Sequence, residues 1–204
     1  MADFTREAAL LQSGHTKIAG IDEVGRGPWA GPVVVAGVIL DPTKIPHGLT
    51  DSKKISAAKR ETLAKDIHAT ARVEIIEISV EEIDRLNILA ATMLGMQRAI
   101  TSLTPDYALI DGNRIPTDMS CPAEAIVKGD GKSASIAAAS IVAKVYRDHL
   151  MADLARDFPG YGWETNAGYG TKMHQSGLQN LGVTPHHRRS FKPIHKMLWI
   201  NSDE

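Results

Sequence analysis

A second cysteine is missing. Cys121 stands alone among 204 residues, so neither a disulfide framework within the chain nor a cysteine-based zinc site is available. Long apolar runs are missing too. The longest, "VVVAGVIL", falls far short of a membrane span. The opening "MADFTREAALLQSG" has acids at Asp3 and Glu7 and no apolar stretch, so it does not read as a signal peptide. Net charge is nearly absent at −1, which excludes a global field drawing the protein to nucleic acid or anionic lipid. Acids are absent from Thr165 to Ser202, where Lys172, Arg188, Arg189, Lys192 and Lys196 stand with four histidines. A basic end on a neutral chain suits either a polyanion touched from one side or an ordinary solvated tail. The expectation is a soluble, cytoplasmic, monomeric protein with no membrane role.

What is present is enough for a core, at 43% hydrophobic residues. The chain reads as a single domain over 1–204, with a core over about 15–157 and a helical and looped extension over about 158–204. "KIAGID" and "PVVVAGVIL" read as strands. "SAAKRETLAKDIHATA" reads as a helix with Ser56 as its N-cap. "RVEIIEIS" alternates charged and apolar residues, the pattern of a strand with one wet face. "VEEIDRLNILAATMLGMQRAITSL" is helical, in one or two pieces. "DYALID" and "PAEAIVKGD" are short strands, the second ending in a turn. "SASIAAASIVAKVYRDHLMADLARDF" is the clearest helix. "YGWETNAGYG" reads as loop, "TKMHQSGLQNLG" as a short helix and "VTPHHRRSFKP" as irregular. Strands alternating with helices make an α/β protein with a sheet of mixed direction and a C-terminal appendage.

Three strand-like segments end in acids: "GID" at Asp22 with Glu23 next, "ALID" at Asp111, and "IVKGD" at Asp130. Strand ends from distant sequence can meet at one crevice of an open α/β sheet. Carboxylates gathered there raise one another's pKa, and a divalent cation removes that penalty. Hard oxygen donors suit Mg²⁺ or Mn²⁺ rather than zinc. Taken singly, each acid also reads as a turn residue. Asp22 and Glu23 together are harder to place so, because adjacent strand residues face opposite sides and one must point inward.

Between the first two strands lies "EVGRGPWAG". It formally matches a dinucleotide fingerprint, but a strand follows the glycines where that motif needs a helix. "GDGKS" fails as a phosphate-binding loop, since Ile126 occupies the position of its first glycine. What remains is a loop whose Gly25 and Gly27 let backbone approach a ligand, with Arg26 able to donate to phosphate. On the long helix, Ser140, Lys144, Arg147 and Asp148 recur at spacings of three and four and share a face. That face reads as meeting substrate phosphates, or as solvated.

Together "IDEVGRGPWAGPVV", "DSKK", "LIDGNR", "VKGD", "SIAAASIVAKVYRD", "GYGTKMH" and "TPHHRRSF" resemble bacterial ribonuclease HII, the type 2 ribonuclease H, from about Ile18 to about Phe191. The resemblance implies a ribonuclease H-like fold, a mixed five-stranded sheet flanked by helices with a C-terminal helical part. It implies hydrolysis of the RNA strand of RNA/DNA hybrids and incision at single ribonucleotides embedded in duplex DNA, leaving 5′-phosphate and 3′-hydroxyl ends. It places the metal-binding, catalytic carboxylates at Asp22, Glu23, Asp111 and Asp130, around two Mg²⁺ or Mn²⁺ ions roughly 4 Å apart. It places a ribonucleotide-sensing triplet at Gly25, Arg26 and Gly27, and a sensing tyrosine at Tyr169. Lys53, Lys54, Lys172, Arg188 and Arg189 are then expected on the nucleic-acid backbone. His174 is open between ligand, proton shuttle and surface residue; His186 and His187 read as surface. No clamp-binding motif is apparent at the C-terminus. The competing readings are another nuclease of the same fold and a nucleotide-binding module using the glycine loop.

Overall fold

Two stretches rich in β-branched and small residues, β1 (Ile18–Val24) and β2 (Val33–Leu40), form the antiparallel centre of the sheet in a computed structural model describing residues 1–200. Three more strands complete it: β3 (Ala71–Ile78), β4 (Tyr107–Asp111) and β5 (Ala123–Ile126), in the order β3-β2-β1-β4-β5. β4 runs parallel to β1, and β5 parallel to β4. The sheet is therefore mixed and five-stranded, with the wet-faced "RVEIIEI" at an edge, where charged side chains discourage further pairing. Helices are α1 (Thr5–Gln12), α2 (Ala57–Thr70), α3 (Val80–Leu86), α4 (Ile88–Leu103), α5 (Ala134–Asp157), α6 (Trp163–Asn166), α7 (Lys172–Leu181) and α8 (Lys192–Ile200). None among the described residues is long and apolar enough to cross a membrane. The last four residues of the expected C-terminal extension lie outside the described residues.

Local chemistry sets the ends of these elements. Ser56 accepts from the amide of Lys59 and starts α2. Ser79 and Glu82 form a reciprocal capping box at α3. The helical stretch after β3 is in two pieces because Asn87 adopts φ 68°, and its side-chain oxygen accepts from the amides of Leu89 and Ala90 to begin α4. "YGWETNAGYG", expected to be loop, holds the single turn α6, too short to leave a periodic signal.

The chain divides into two compact units. The first comprises Met1–Val24, Val34–Ile76 and Met93–Val145. Its core packs Val34, Ala36 and Val38 of β2 against Leu63 and Ile67 of α2 and the run Ala137–Ala139, Ile141 and Val142 of α5. The small residues of α5 allow close approach. A Cβ at Gly20 of β1 would collide with the backbone of Ser135. The start of α5 is held by the buried carboxylate of Glu7, which accepts from the hydroxyls of Ser133 and Ser135 and from the amide of Ser135.

The second unit comprises Gly25–Val33, Glu77–Thr92 and Tyr146–Glu204. It contains the glycine loop, α3, the latter half of α5 and the segment read as an extension. Its core gathers Ala30, Met151, Tyr161, Trp163, Leu178 and Ile194.

Candidate active site

In the first unit, parallel pairing brings two of the predicted acids side by side. The last registered pair of β1 and β4 is Ile21 with Ile110, and the next residues are Asp22 and Asp111. Asp22 is 5% exposed. Its Oδ1 accepts from the amide of Glu23 at 2.7 Å, and the hydroxyl of Ser140 donates to the same carboxyl. Ser140 in turn meets the hydroxyl of Ser52 at 3.0 Å. Burial, and then the charges of Glu23 and Asp111, hold the Asp22 carboxyl well above the usual carboxylate range.

Asp130 sits on a 3-10 turn, Gly129–Gly131, just beyond β5. The amide of Gly129 donates to Asp111 Oδ1 at 2.6 Å, tying that turn to the end of β4. Burial and the charges of Asp51 and Asp111 raise the Asp130 carboxyl, while Lys53 opposes them. The acids thus form a line of interacting neighbours, Glu23–Asp22–Asp111–Asp130–Asp51. Among the described residues no three His, Cys, Asp or Glu side chains stand close enough to cage an ion by themselves. Even so, the donor set fits a hard divalent cation. It is all carboxylate oxygen, and Asp22 carries the raised proton affinity that a cation would relieve. Asp51 was missed in the sequence. Its motif, "DSKK", was in view, and its side chain caps the turn Ser52–Lys54 by accepting from the amide of Lys53. Lys53 and Lys54 are exposed there.

The second unit holds the glycine loop and Tyr169. Gly25 has φ +93°, and a Cβ there would collide with the Arg147 guanidinium. Gly27 lies beneath the Tyr169 ring, where a Cβ would stand 3.2 Å from Cε1. Arg26 is exposed, and Tyr169 is 50% exposed. Lys172 and Arg189 are also exposed, and Asp84 accepts from the backbone amides of Arg189 and Ser190, fixing that turn.

Three expected substrate contacts are not on the surface. Arg147 is 1% and Arg188 0% exposed. Arg147 donates to the carbonyls of Pro32, Ala30 and Ala167 at 2.9–3.2 Å. Arg188 donates to those of Gly31, Arg26 and Gly25 at 2.6–3.0 Å. Six carbonyls of tight loops are thereby satisfied by two forks, a task for which guanidinium suits and ammonium does not. Burial pulls Arg147 down to about 10 and Arg188 down to about 9, the latter helped by the charge of Arg147; both stay charged at neutral pH. Ser140, also read as a phosphate contact, is buried against Ser52 and Asp22. The shared face on α5 was real as periodicity but has no solvent beside it at Ser140 and Arg147. Lys144 is half-buried.

His187 corrects another expectation. It is fully buried, as is His174, and only His186 keeps partial exposure.

A mixed five-stranded sheet with helices about it, and acids at the ends of neighbouring parallel strands, defines the ribonuclease H-like fold. The family model described as Ribonuclease HII matches residues 19–202, and the chain belongs to the ribonuclease HII family. It is an endoribonuclease of the kind that acts on RNA/DNA hybrids. Ribonuclease HII of Ruegeria pomeroyi is 66% identical over 199 residues, covering 97% of this chain and 85% of that one. Ribonuclease HII of Cereibacter sphaeroides is 59% identical, covering 97% and 94%. Among solved structures, the RNase HII of Archaeoglobus fulgidus, in complex with PCNA, is 31% identical with a TM-score of 0.76, covering 87% of this chain and 96% of that one. The Mn²⁺ complex of Bst-RNase HIII, 22% identical with a TM-score of 0.71 and covering 96% and 73%, shares the fold.

Proposed function

We propose that this chain hydrolyses the RNA strand of hybrids and also incises at single ribonucleotides embedded in duplex DNA, leaving 5′-phosphate and 3′-hydroxyl ends. Asp22, Glu23, Asp111 and Asp130 are the residues that hold Mg²⁺ or Mn²⁺. A pair of such ions, when bound, activates the attacking water and stabilises the departing oxygen of the phosphodiester. The observation that carries this reading is the Asp22 carboxyl beside Asp111, with its proton affinity raised by burial and then by two neighbouring acids. Ser140 and the Glu23 amide orient it. Lys53, whose charge acts on Asp130, anchors a phosphate of the substrate.

Recognition of ribose falls to the second unit. Arg147 and Arg188 draw the loop carbonyls inward onto their forks, so the loop meets a ligand with its remaining polar groups and without side chains at Gly25 and Gly27. The 2′-hydroxyl is both donor and acceptor, which makes backbone groups adequate partners. The exposed Tyr169 ring over Gly27 supplies a stacking or wedging surface for the adjoining sugar.

A cleavage map on duplex DNA bearing one ribonucleotide tests this. The expected result is one cut at the ribonucleotide with Mg²⁺, none with chelator, and none in all-DNA duplex. Cleavage of the all-DNA duplex would contradict it. Tyr169→Ala is expected to lose at least tenfold more kcat/KM on the embedded ribonucleotide than on a long hybrid, as removal of a contact made to one substrate class should. Equal losses would remove the junction-sensing role. Replacing both Lys53 and Lys54 by Ala should weaken both substrates alike and reduce the slope of log K against log salt by roughly two, one per lost phosphate contact. An unchanged slope would take them off the backbone.

A further inference from the structure

A buried line of hydrogen bonds runs behind the Gly168–Gly170 turn. Thr184 donates its backbone N–H to His187 Nδ1 at 2.9 Å. A backbone amide can only donate, so Nδ1 is bare and a neutral His187 carries its proton on Nε2. That Nε2–H faces His174 Nε2 at 3.0 Å. Trp163 Nε1–H, also only a donor, faces the same His174 nitrogen at 3.1 Å. His174 Nε2 is therefore unprotonated, its one lone pair shared between the two N–H groups, and its own proton lies on Nδ1, 3.0 Å from the carbonyl oxygen of Tyr169.

Every donor along this line has an acceptor, and only one pair of tautomers allows it. A proton added to either ring would set two donors face to face. In keeping with that, burial lowers both imidazoles, His187 to about 3 with the help of His174's charge. The aromatic surroundings are tight: Trp163 stacks on Tyr161 at 5.0 Å, and His187 meets Tyr161 at 5.0 Å. At the end of the line, Tyr169 is pinned by its backbone on both sides. Its carbonyl also accepts from the amide of Thr171, and its own amide donates to the carbonyl of Asn166. The ring beyond this anchored backbone is the exposed one.

We propose that His174, held in one tautomer by His187 and Trp163, is a positioning residue that aims Tyr169 at the substrate and so sets the preference for a single embedded ribonucleotide. The proposal rests on the reading of Tyr169 given above. His174 touches no substrate; it acts through the Tyr169 carbonyl. Asn in its place keeps an amide donor near the position of Nδ1, whereas Phe keeps the ring shape and no donor.

The test measures kcat/KM on a duplex with one ribonucleotide and on a long hybrid, and takes their ratio. His174→Phe is expected to lower the ratio about tenfold, the worth of one hydrogen bond of ordinary strength. His174→Asn should restore most of it. In a Tyr169→Ala background, His174→Phe should leave the ratio where Tyr169→Ala alone puts it. A ratio unchanged by His174→Phe, or lowered further in the Tyr169→Ala background, overturns the positioning role. If Tyr169→Ala itself leaves the ratio untouched, the assignment of Tyr169 fails, and the positioning role with it. A measurement on the unaltered protein stands beside these. Nitrogen-15 spectra of the imidazoles should show opposite tautomers, Nδ1–H for His174 and Nε2–H for His187. Identical tautomers would overturn the line of donors on which the proposal stands.

Discussion

Asp22→Asn is expected to lower kcat/KM about a thousandfold or more while making the cation-free protein more stable. The two effects share one cause. Asp22 is buried, and the charges of Glu23 and Asp111 add to the cost of ionising it. Its folded pKa stands above the unfolded value, so as pH rises past the ordinary carboxylate range the unfolded chain loses this proton first. The fold loses stability across the interval between those two ionisations. A neutral amide of the same shape is spared that ionisation cost, so the variant should have the higher urea midpoint in chelator. Mg²⁺ reverses the order. Binding at about 100 times Kd stabilises by about 2.7 kcal/mol, and the wild type should gain this while the variant gains little. Urea midpoints in chelator and in Mg²⁺, for both proteins, check the claim. A variant less stable than wild type in chelator would show that Asp22 is held by its hydrogen bonds rather than strained by its neighbours.

Arg188→Met should destabilise the protein by about 3 kcal/mol or more and nearly abolish cleavage at an embedded ribonucleotide. The guanidinium donates to the carbonyls of Gly25, Arg26 and Gly31, and its removal leaves these without that donor in or near the interior. Each buried acceptor left unmade costs about 1–3 kcal/mol. The side chain also packs over Phe191, with Cζ 5.0 Å from the ring centroid. Arg188→Lys keeps the charge but not the fork, and should recover only part of the loss. Were Arg188 a phosphate contact, as its basic surroundings in the sequence imply, either variant would keep its stability. The methionine variant alone would lower the salt slope of binding by about one. Thermal melts and a salt titration separate the two cases.

The contrast between Asp22 and Arg188 shows where sequence is legible. Asp22 and Asp111 end apolar runs whose β-branched residues mark them as strands, and parallel pairing makes strand ends meet. The need for glycine at Gly25 is legible, but what its missing Cβ makes room for is the Arg147 side chain, which the sequence did not point to. Arg147, Arg188, His174 and His187 are not legible, for a common reason. The arginines satisfy carbonyls mostly more than a hundred residues away, and the histidines bond to each other and to backbone of nearby loops that only the fold buries, so local composition does not reveal either role. A basic or histidine-rich segment looks alike whether it faces phosphate or the underside of a loop. Helical spacing on α5 likewise shows that Ser140 and Arg147 share a face, but not that protein covers both. Asp51 escaped because a capping residue beside two lysines looks complete without the acid it meets, Asp130.

The carboxylate line of the first unit is most directly tested by anomalous diffraction from crystals soaked in Mn²⁺. The account predicts manganese at direct coordination distance, about 2.1 Å, from carboxylate oxygens of both Asp22 and Asp111. Manganese bound elsewhere, with these two carboxylates uncoordinated in a protein that still cleaves, would contradict it.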